Sequence, residues 1–85
     1  MANRLITFTT DFGLSDHFVG VMKGVVAGIA PAARVIDISH EVTPYKVTEA
    51  AFIIGEAWPY FPKHTIHVVV VDPGVGSAAV EFRVE

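Results

Sequence analysis

The chain has 85 residues, 52% of them hydrophobic, with nine acidic and six basic side chains and no cysteine. This length supports one small domain at most, burying roughly 60–65% of its unfolded surface; the net charge of −3 and the scattered Lys and Arg argue against a nucleic-acid partner, and disulfides and thiolate metal sites are excluded. A mean hydropathy of +0.50 is high for so short a chain and predicts apolar surface that meets more of the same protein, another subunit or a missing domain.

The first residues, MANRLITFTTDFG, lack the apolar stretch and small-residue cleavage site of a secretory leader. No uncharged apolar run approaches the roughly 18 residues needed to cross a bilayer. No membrane partner and a cytoplasmic location are therefore expected. RLITFTT, residues 4–10, is rich in β-branched and aromatic side chains and predicts a strand. DFGL is a turn. Ser15 is the expected N-cap of a helix, with Asp16 in its first turn, where the helix dipole favours a negative charge. That helix runs to about Ile29 and stops before Pro31, with Phe18, Val21, Met22, Val25 and Ile29 as its apolar face. Gly20, Gly24 and Gly28 recur every fourth residue. Each costs about 1 kcal/mol against Ala in a helix, so they predict close packing against a neighbouring element.

ARVIDIS, residues 33–39, predicts a second strand, and HEVTPY, 40–45, a loop. KVTEAAFIIGEAW, 46–58, predicts a second helix with Val47, Ala50, Ala51, Ile54 and Trp58 on one side, closed by Pro59 and Pro62. TIHVVVVD, 65–72, is a third strand. Its valines Val68 to Val71 show no alternation, so both faces are expected to be covered. AVEFRVE, 79–85, alternates as a half-exposed final strand does. The order β-α-β-α-β-β implies the α/β class and a mainly parallel sheet joined by right-handed crossovers. Asp11, the pair His40-Glu41, and Asp72 then leave the strands at one edge, the carboxyl edge, where open α/β sheets bind ligands.

Each of these groups has two readings. Asp11 can accept hydrogen bonds from a ligand diol, or it can form a turn with Gly13 at positive φ. Tyr45 can flank a ligand or pack on the core. Asp11, Asp16 and His17 could hold a divalent cation for a phosphohydrolase, or be surface and capping residues. His67, within a buried strand, reads as a satisfied core histidine. Trp58, Tyr60 and Phe61 fall at the amino edge and read as core and boundary packing. Asp72 ends the most apolar strand, and Pro73 keeps its backbone extended. Gly74, Gly76 and Ser77 follow, leaving backbone N–H groups open to a ligand. There is no G-x-G-x-x-G after a strand and no phosphate-binding loop motif.

Together, TTDFGLSDHFVGVMKGV, VIDISHEVTPYKVTEAA and YFPKHTIHVVVVDPGVGS resemble the SAM hydroxide adenosyltransferases. These hydrolyse S-adenosyl-L-methionine (SAM) to adenosine and L-methionine and are related to the SAM-dependent fluorinase and chlorinase. The resemblance covers residues 4 to 77. It implies that Asp11 holds the ribose hydroxyls, that Phe12, Asp16, His17 and Phe18 lie along the ligand, and that Tyr45 sits where a related halogenase has an aromatic. Asp72 would be the catalytic carboxylate acting on water. SAM would be the substrate, with no cofactor or metal, and the protein would be a homo-oligomer, a trimer in the family. Residues 1–85 would form part of the amino-terminal α/β domain. The remainder of that domain, the family's catalytic histidine and the carboxy-terminal β-barrel domain would lie beyond residue 85. The sequence departs from the pattern at Ala79, where the family places an arginine, and the strand alternation is expected to keep Arg83 from reaching the same place. The chain alone is therefore expected to turn over slowly. The rival readings are a non-catalytic adenosine- or SAM-binding module and the metal-dependent phosphohydrolase.

Overall fold

The computed structural model describes residues 4–72 and the backbone of 80–82. Strand β1 spans Leu5–Thr10, helix α1 Phe18–Ile29, β2 Arg34–Ser39, α2 Val47–Ala57, β3 Ile66–Val71 and β4 Val80–Phe82, with a 3₁₀ turn over Trp58–Tyr60. The sheet order is β2-β1-β3-β4. β1 pairs in parallel with β2 and with β3, and β4 runs antiparallel to β3. The α/β class and the parallel sheet are as the sequence implies.

From β1 the chain crosses to β2 on one side, and from β2 it returns over β1 to β3. Right-handed connections in these opposite directions place α1 and α2 on opposite faces of the sheet. Side chains mark the two faces. Val69 and Val71 of β3 pack with Ala50 and Ile54 of α2 and with Val42. On the other face, Lys23 of α1 reaches Asp37 of β2, and Asp37 lies in register with Phe8. Phe8 is buried, and Thr7, Thr9 and Thr10 of the same central strand are fully buried.

Four expectations need correction. Helix α1 starts at Phe18 with His17 at the N-cap, not at Ser15. Asp16 lies before the helix, and its Oδ1 accepts the Phe18 N–H at 3.0 Å. The carboxylate thus satisfies an orphan amide of the first turn from outside it. The buried residue of α1 is Val19, whereas Phe18, Val21, Val25 and Ile29 are exposed. The sequence has apolar residues on two sides of this helix, and only one side meets the sheet. Consistently, a Cβ at Gly20, Gly24 or Gly28 would meet nothing within 4 Å among the described residues, so the close neighbour those glycines imply is not among them. Finally, β3 is buried on alternate residues: His67, Val69 and Val71 are buried and Ile66, Val68 and Val70 are half-buried. One helix covers one face of this strand well.

Helix α2 comes close to expectation. Ala50 and Ile54 are buried, and burying a side chain the size of Ile54 stabilises by about 1.5–3 kcal/mol. Trp58 and Tyr60 are exposed, not core, on either side of Pro59 in the 3₁₀ turn. Of the strand expected over 79–85, the backbone of Val80–Phe82 is described and is strand; the side-chain alternation read there lies outside the described residues.

Candidate functional site

Strand β1 leads away toward β2 and β3 leads away toward β4, so the sheet's topological switch point lies between the carboxyl ends of β1 and β3. Open α/β sheets bind ligands in that crevice. Asp11 and Asp72 stand on its two sides. Thr10 is in register with Val70, so both acidic residues follow directly on adjacent strands. The Asp72 N–H donates to Asp11 Oδ2 at 3.2 Å. This bond orients the Asp11 carboxylate from across the crevice, and a carboxylate's four acceptor positions leave it capacity for a ligand diol. The bland reading of Asp11, a turn partner for Gly13, is partly true as well: Gly13 has φ +70°, a conformation that glycine adopts without strain.

The loops after β1 and β2 are fastened to each other. The Gly13 N–H donates to the His40 carbonyl at 2.7 Å and the Val42 N–H to the Thr10 carbonyl at 3.2 Å. Behind Asp11, an aromatic cluster forms. Phe12 and Phe18 are 5.9 Å apart between ring centroids, and His17 stacks on Phe18 at 4.8 Å. Phe12, Asp16, His17 and Phe18 are thus brought together at the β1–α1 turn. Among the described residues no cluster of three or more His, Asp or Glu side chains is placed to hold a metal ion. Asp11, Asp16 and His17 do not converge in the way the phosphohydrolase reading needs.

Tyr45 sits in a turn closed by the Lys46 N–H on the Thr43 carbonyl at 3.0 Å. Pro44 and Tyr45 occupy its two central positions, and Tyr45 has φ 68°. That is the place in a type II turn where glycine is normal. A bulky residue there is an outlier, and Tyr45 is 56% exposed. The turn is held by the Thr43 N–H, which donates to Glu49 Oε2 at 3.0 Å. Hydrogen bonding from Thr43 holds the Glu49 carboxyl below its ordinary range.

Sequence reading placed His40 at this edge but not its role. His40 is 3% exposed. Its Nδ1 lies 2.7 Å from Thr10 Oγ1 and its Nε2 2.9 Å from Asp37 Oδ1. Thr10, Asp37 and Lys23 were not singled out at all. The available signal was the Thr9-Thr10 pair immediately before Asp11, since a buried hydroxyl at a strand end needs a partner. His67 is 2% exposed and bonds Thr7 Oγ1 at 2.7 Å, as expected of a core histidine. It borders a cleft of about 540 Å³ between Trp58, Phe61, Lys63 and His64. This cleft opens at the amino edge, the far end of β3 from Asp72. The segment Pro73 to Ala79, with Gly74, Gly76 and Ser77, lies outside the described residues, as does Arg83.

A family model described as the SAM hydroxide adenosyltransferase N-terminal domain matches residues 6–85. The chain belongs to the SAM hydroxide adenosyltransferase family. A relative in that family, the (R)-S-adenosyl-L-methionine hydrolase of Salinispora arenicola, is 52% identical over 73 residues, covering 86% of this chain and 28% of its own length. A fluorinase of an Actinoplanes species is 33% identical over 76 residues, covering 89% and 26%. Among solved structures, an uncharacterised conserved protein from Thermotoga maritima superposes with a TM-score of 0.79 at 49% identity, covering 85% of this chain and 28% of that one. The chain thus spans less than a third of the length of the relatives it matches. The α/β arrangement described above is the part of that Thermotoga maritima fold that this chain shares.

Proposed function

We propose that this chain supplies the adenosyl-binding side of an enzyme that hydrolyses SAM to adenosine and L-methionine. The observation that carries the reading is the placement of Asp11 and Asp72 side by side at the switch point, joined by the Asp72 N–H on Asp11 Oδ2. In this reading Asp11 accepts the two ribose hydroxyls, and Phe12, Asp16, His17, Phe18 and Tyr45 line the adenosyl group. Asp72 orients, and takes a proton from, the water that attacks C5′. The C5′–sulfonium bond breaks as the C5′–oxygen bond forms, and methionine leaves as a neutral thioether. No general acid is required, and no cofactor or metal is called for. Anion and sulfonium cancel in the transition state, so a dry site favours the step. A carboxylate at Asp72 attracts and orients water but repels a halide, which favours hydrolysis over the halogenation catalysed by the fluorinase relatives.

The same reading takes the protein as a cytoplasmic homo-trimer. The exposed apolar ridge of α1 and the absence, among the described residues, of any helix long and apolar enough to cross a membrane are in keeping with it. Residue 79 is alanine where the resemblance expects arginine. The 85-residue chain by itself is therefore expected to release adenosine little faster than buffer, because members of a catalytic unit act non-additively. The test is a chimera in which residues 4–72 replace the matching segment of the Salinispora arenicola hydrolase. Adenosine release from SAM, followed by chromatography, should persist in the chimera and fall by about 10²-fold or more in its Asp72→Asn variant. A folded chimera in which Asp72→Asn releases adenosine at the parent rate contradicts the assignment.

A further inference from the structure

Beneath the β1 exit runs a single polar chain. Lys23 Nζ donates to Asp37 Oδ2 at 2.6 Å. Asp37 Oδ1 faces His40 Nε2 at 2.9 Å, a short polar contact without the alignment of a formed hydrogen bond. His40 Nδ1 meets Thr10 Oγ1 at 2.7 Å, and Thr10 Oγ1 accepts the Phe12 N–H at 3.2 Å. A register shift between β1 and β2 makes this possible. Phe8 pairs with Asp37 but Thr9 pairs with Ser39. In an unbroken strand, residues 37 and 40 would point to opposite faces. The skipped residue, Ile38, brings both to the α1 face, the re-aiming for which bulges are used near sites.

Carboxylate, imidazole and hydroxyl in series is the order of a nucleophilic triad. Thr10 cannot serve as a nucleophile here, because it is fully buried and its oxygen already accepts an amide. Its one hydroxyl proton has a different use. We assign this proton to His40 Nδ1, which leaves the ring's own proton on Nε2, the nitrogen facing Asp37. Donation therefore runs from the Phe12 amide through Thr10 and His40 toward Asp37, which accepts Lys23 from the other side. His40 also grips the next amide, since its carbonyl accepts the Gly13 N–H at 2.7 Å. Asp11 is the residue between these anchors.

We infer that His40 is a positioning residue for ligand binding: through the Thr10 hydroxyl and its own carbonyl it fixes the Thr10–Gly13 loop, and with it the direction of the Asp11 carboxylate. The inference rests on the reading of Asp11 as the ribose carboxylate, and the experiment separates the two. Two readouts are taken on the protein as its gene encodes it: hydrogen exchange of the Phe12 and Gly13 amides without ligand, and calorimetric titration with adenosine. The variants are His40→Ala, His40→Asn and Thr10→Val, with Ile54→Val as a stability control away from the site.

In His40→Ala and Thr10→Val, exchange at Phe12 should rise and adenosine affinity fall, each about tenfold. His40→Asn places an acceptor where Nδ1 was and should recover most of the affinity. Ile54→Val should leave affinity within about twofold. Thr10→Val is nearly isosteric and gives a result even if His40→Ala does not fold. Unchanged Phe12 exchange in Thr10→Val overturns the clamp, and so does an affinity loss no larger than that of Ile54→Val. If instead Asp11→Asn binds adenosine as well as the parent, the ribose reading has failed, and the exchange data alone decide whether the clamp exists.

Discussion

At the scale of single residues, the two described non-glycine residues at positive φ lie apart, Tyr45 in the loop after β2 and His64 before β3. Tyr45 adopts φ 68° in a turn where glycine is normal, and left-handed backbone costs a non-glycine residue about 1–2 kcal/mol. Tyr45→Gly should therefore leave stability unchanged or raise it by up to about 1 kcal/mol, after the added entropy of the unfolded chain is counted. If the ring flanks the ligand, the same variant should weaken adenosine binding. Equal affinity with equal or higher stability would show that the ring is idle. Burial also depresses the pKa of His67. The folded state keeps it neutral while the unfolded state takes up a proton near pH 6.5. The unfolded state then binds more protons, so stability falls as pH drops below about 6.5 and levels off once the native value is passed. Denaturant unfolding at pH 7 and pH 5 should show this slope, and His67→Asn should flatten it. Asp37 acts in a lower range. Desolvation raises its pKa, but the Lys23 and His40 contacts outweigh this and leave it below its ordinary value of 3.8. Its contribution is present above that value and disappears as pH falls through the native one.

At the scale of elements, the two helices differ in how much the sheet uses them. Helix α2 buries Ala50 and Ile54 against Val69 and Val71. Ile54→Ala should cost about 2–5 kcal/mol in denaturant unfolding, and a cost below 1 kcal/mol would mean that this contact is not the core. Helix α1 buries Val19 and leaves Phe18, Val21, Val25 and Ile29 exposed. That ridge should drive self-association. Val25→Glu should shift sedimentation toward the monomer while moving stability by less than about 0.5 kcal/mol; unchanged association would assign the contact to another surface. The contrast explains what was legible in the sequence. Strand and helix order followed from β-branched runs separated by amphipathic segments and prolines. The facing of α1 did not, because the helix is apolar on two sides and periodicity alone cannot choose between them. Ser15 was a good capping residue by type, but Asp16 reached the first free amide. The β2 bulge left no mark in RVIDIS, so the meeting of Asp37, His40 and Thr10 could not be read, although each residue stands in plain view. Asp11 and Asp72 were legible because strand ends in a parallel sheet share an edge.

At the scale of the whole molecule, one consequence follows from topology. Connections leave β1 and β3 in opposite directions, which opens a crevice lined by Asp11 and Asp72, and the loop clamp through His40 holds one of the two in place. The central claim is that Asp11 receives the ribose hydroxyls of an adenosyl ligand. Calorimetric titration with adenosine, comparing the parent with Asp11→Ala, tests it most directly. The account predicts saturable binding by the parent and a loss of about 1.5–3 kcal/mol in the variant, or roughly 10- to 150-fold in affinity. Adenosine bound equally well by the parent and by a folded Asp11→Ala variant would contradict it.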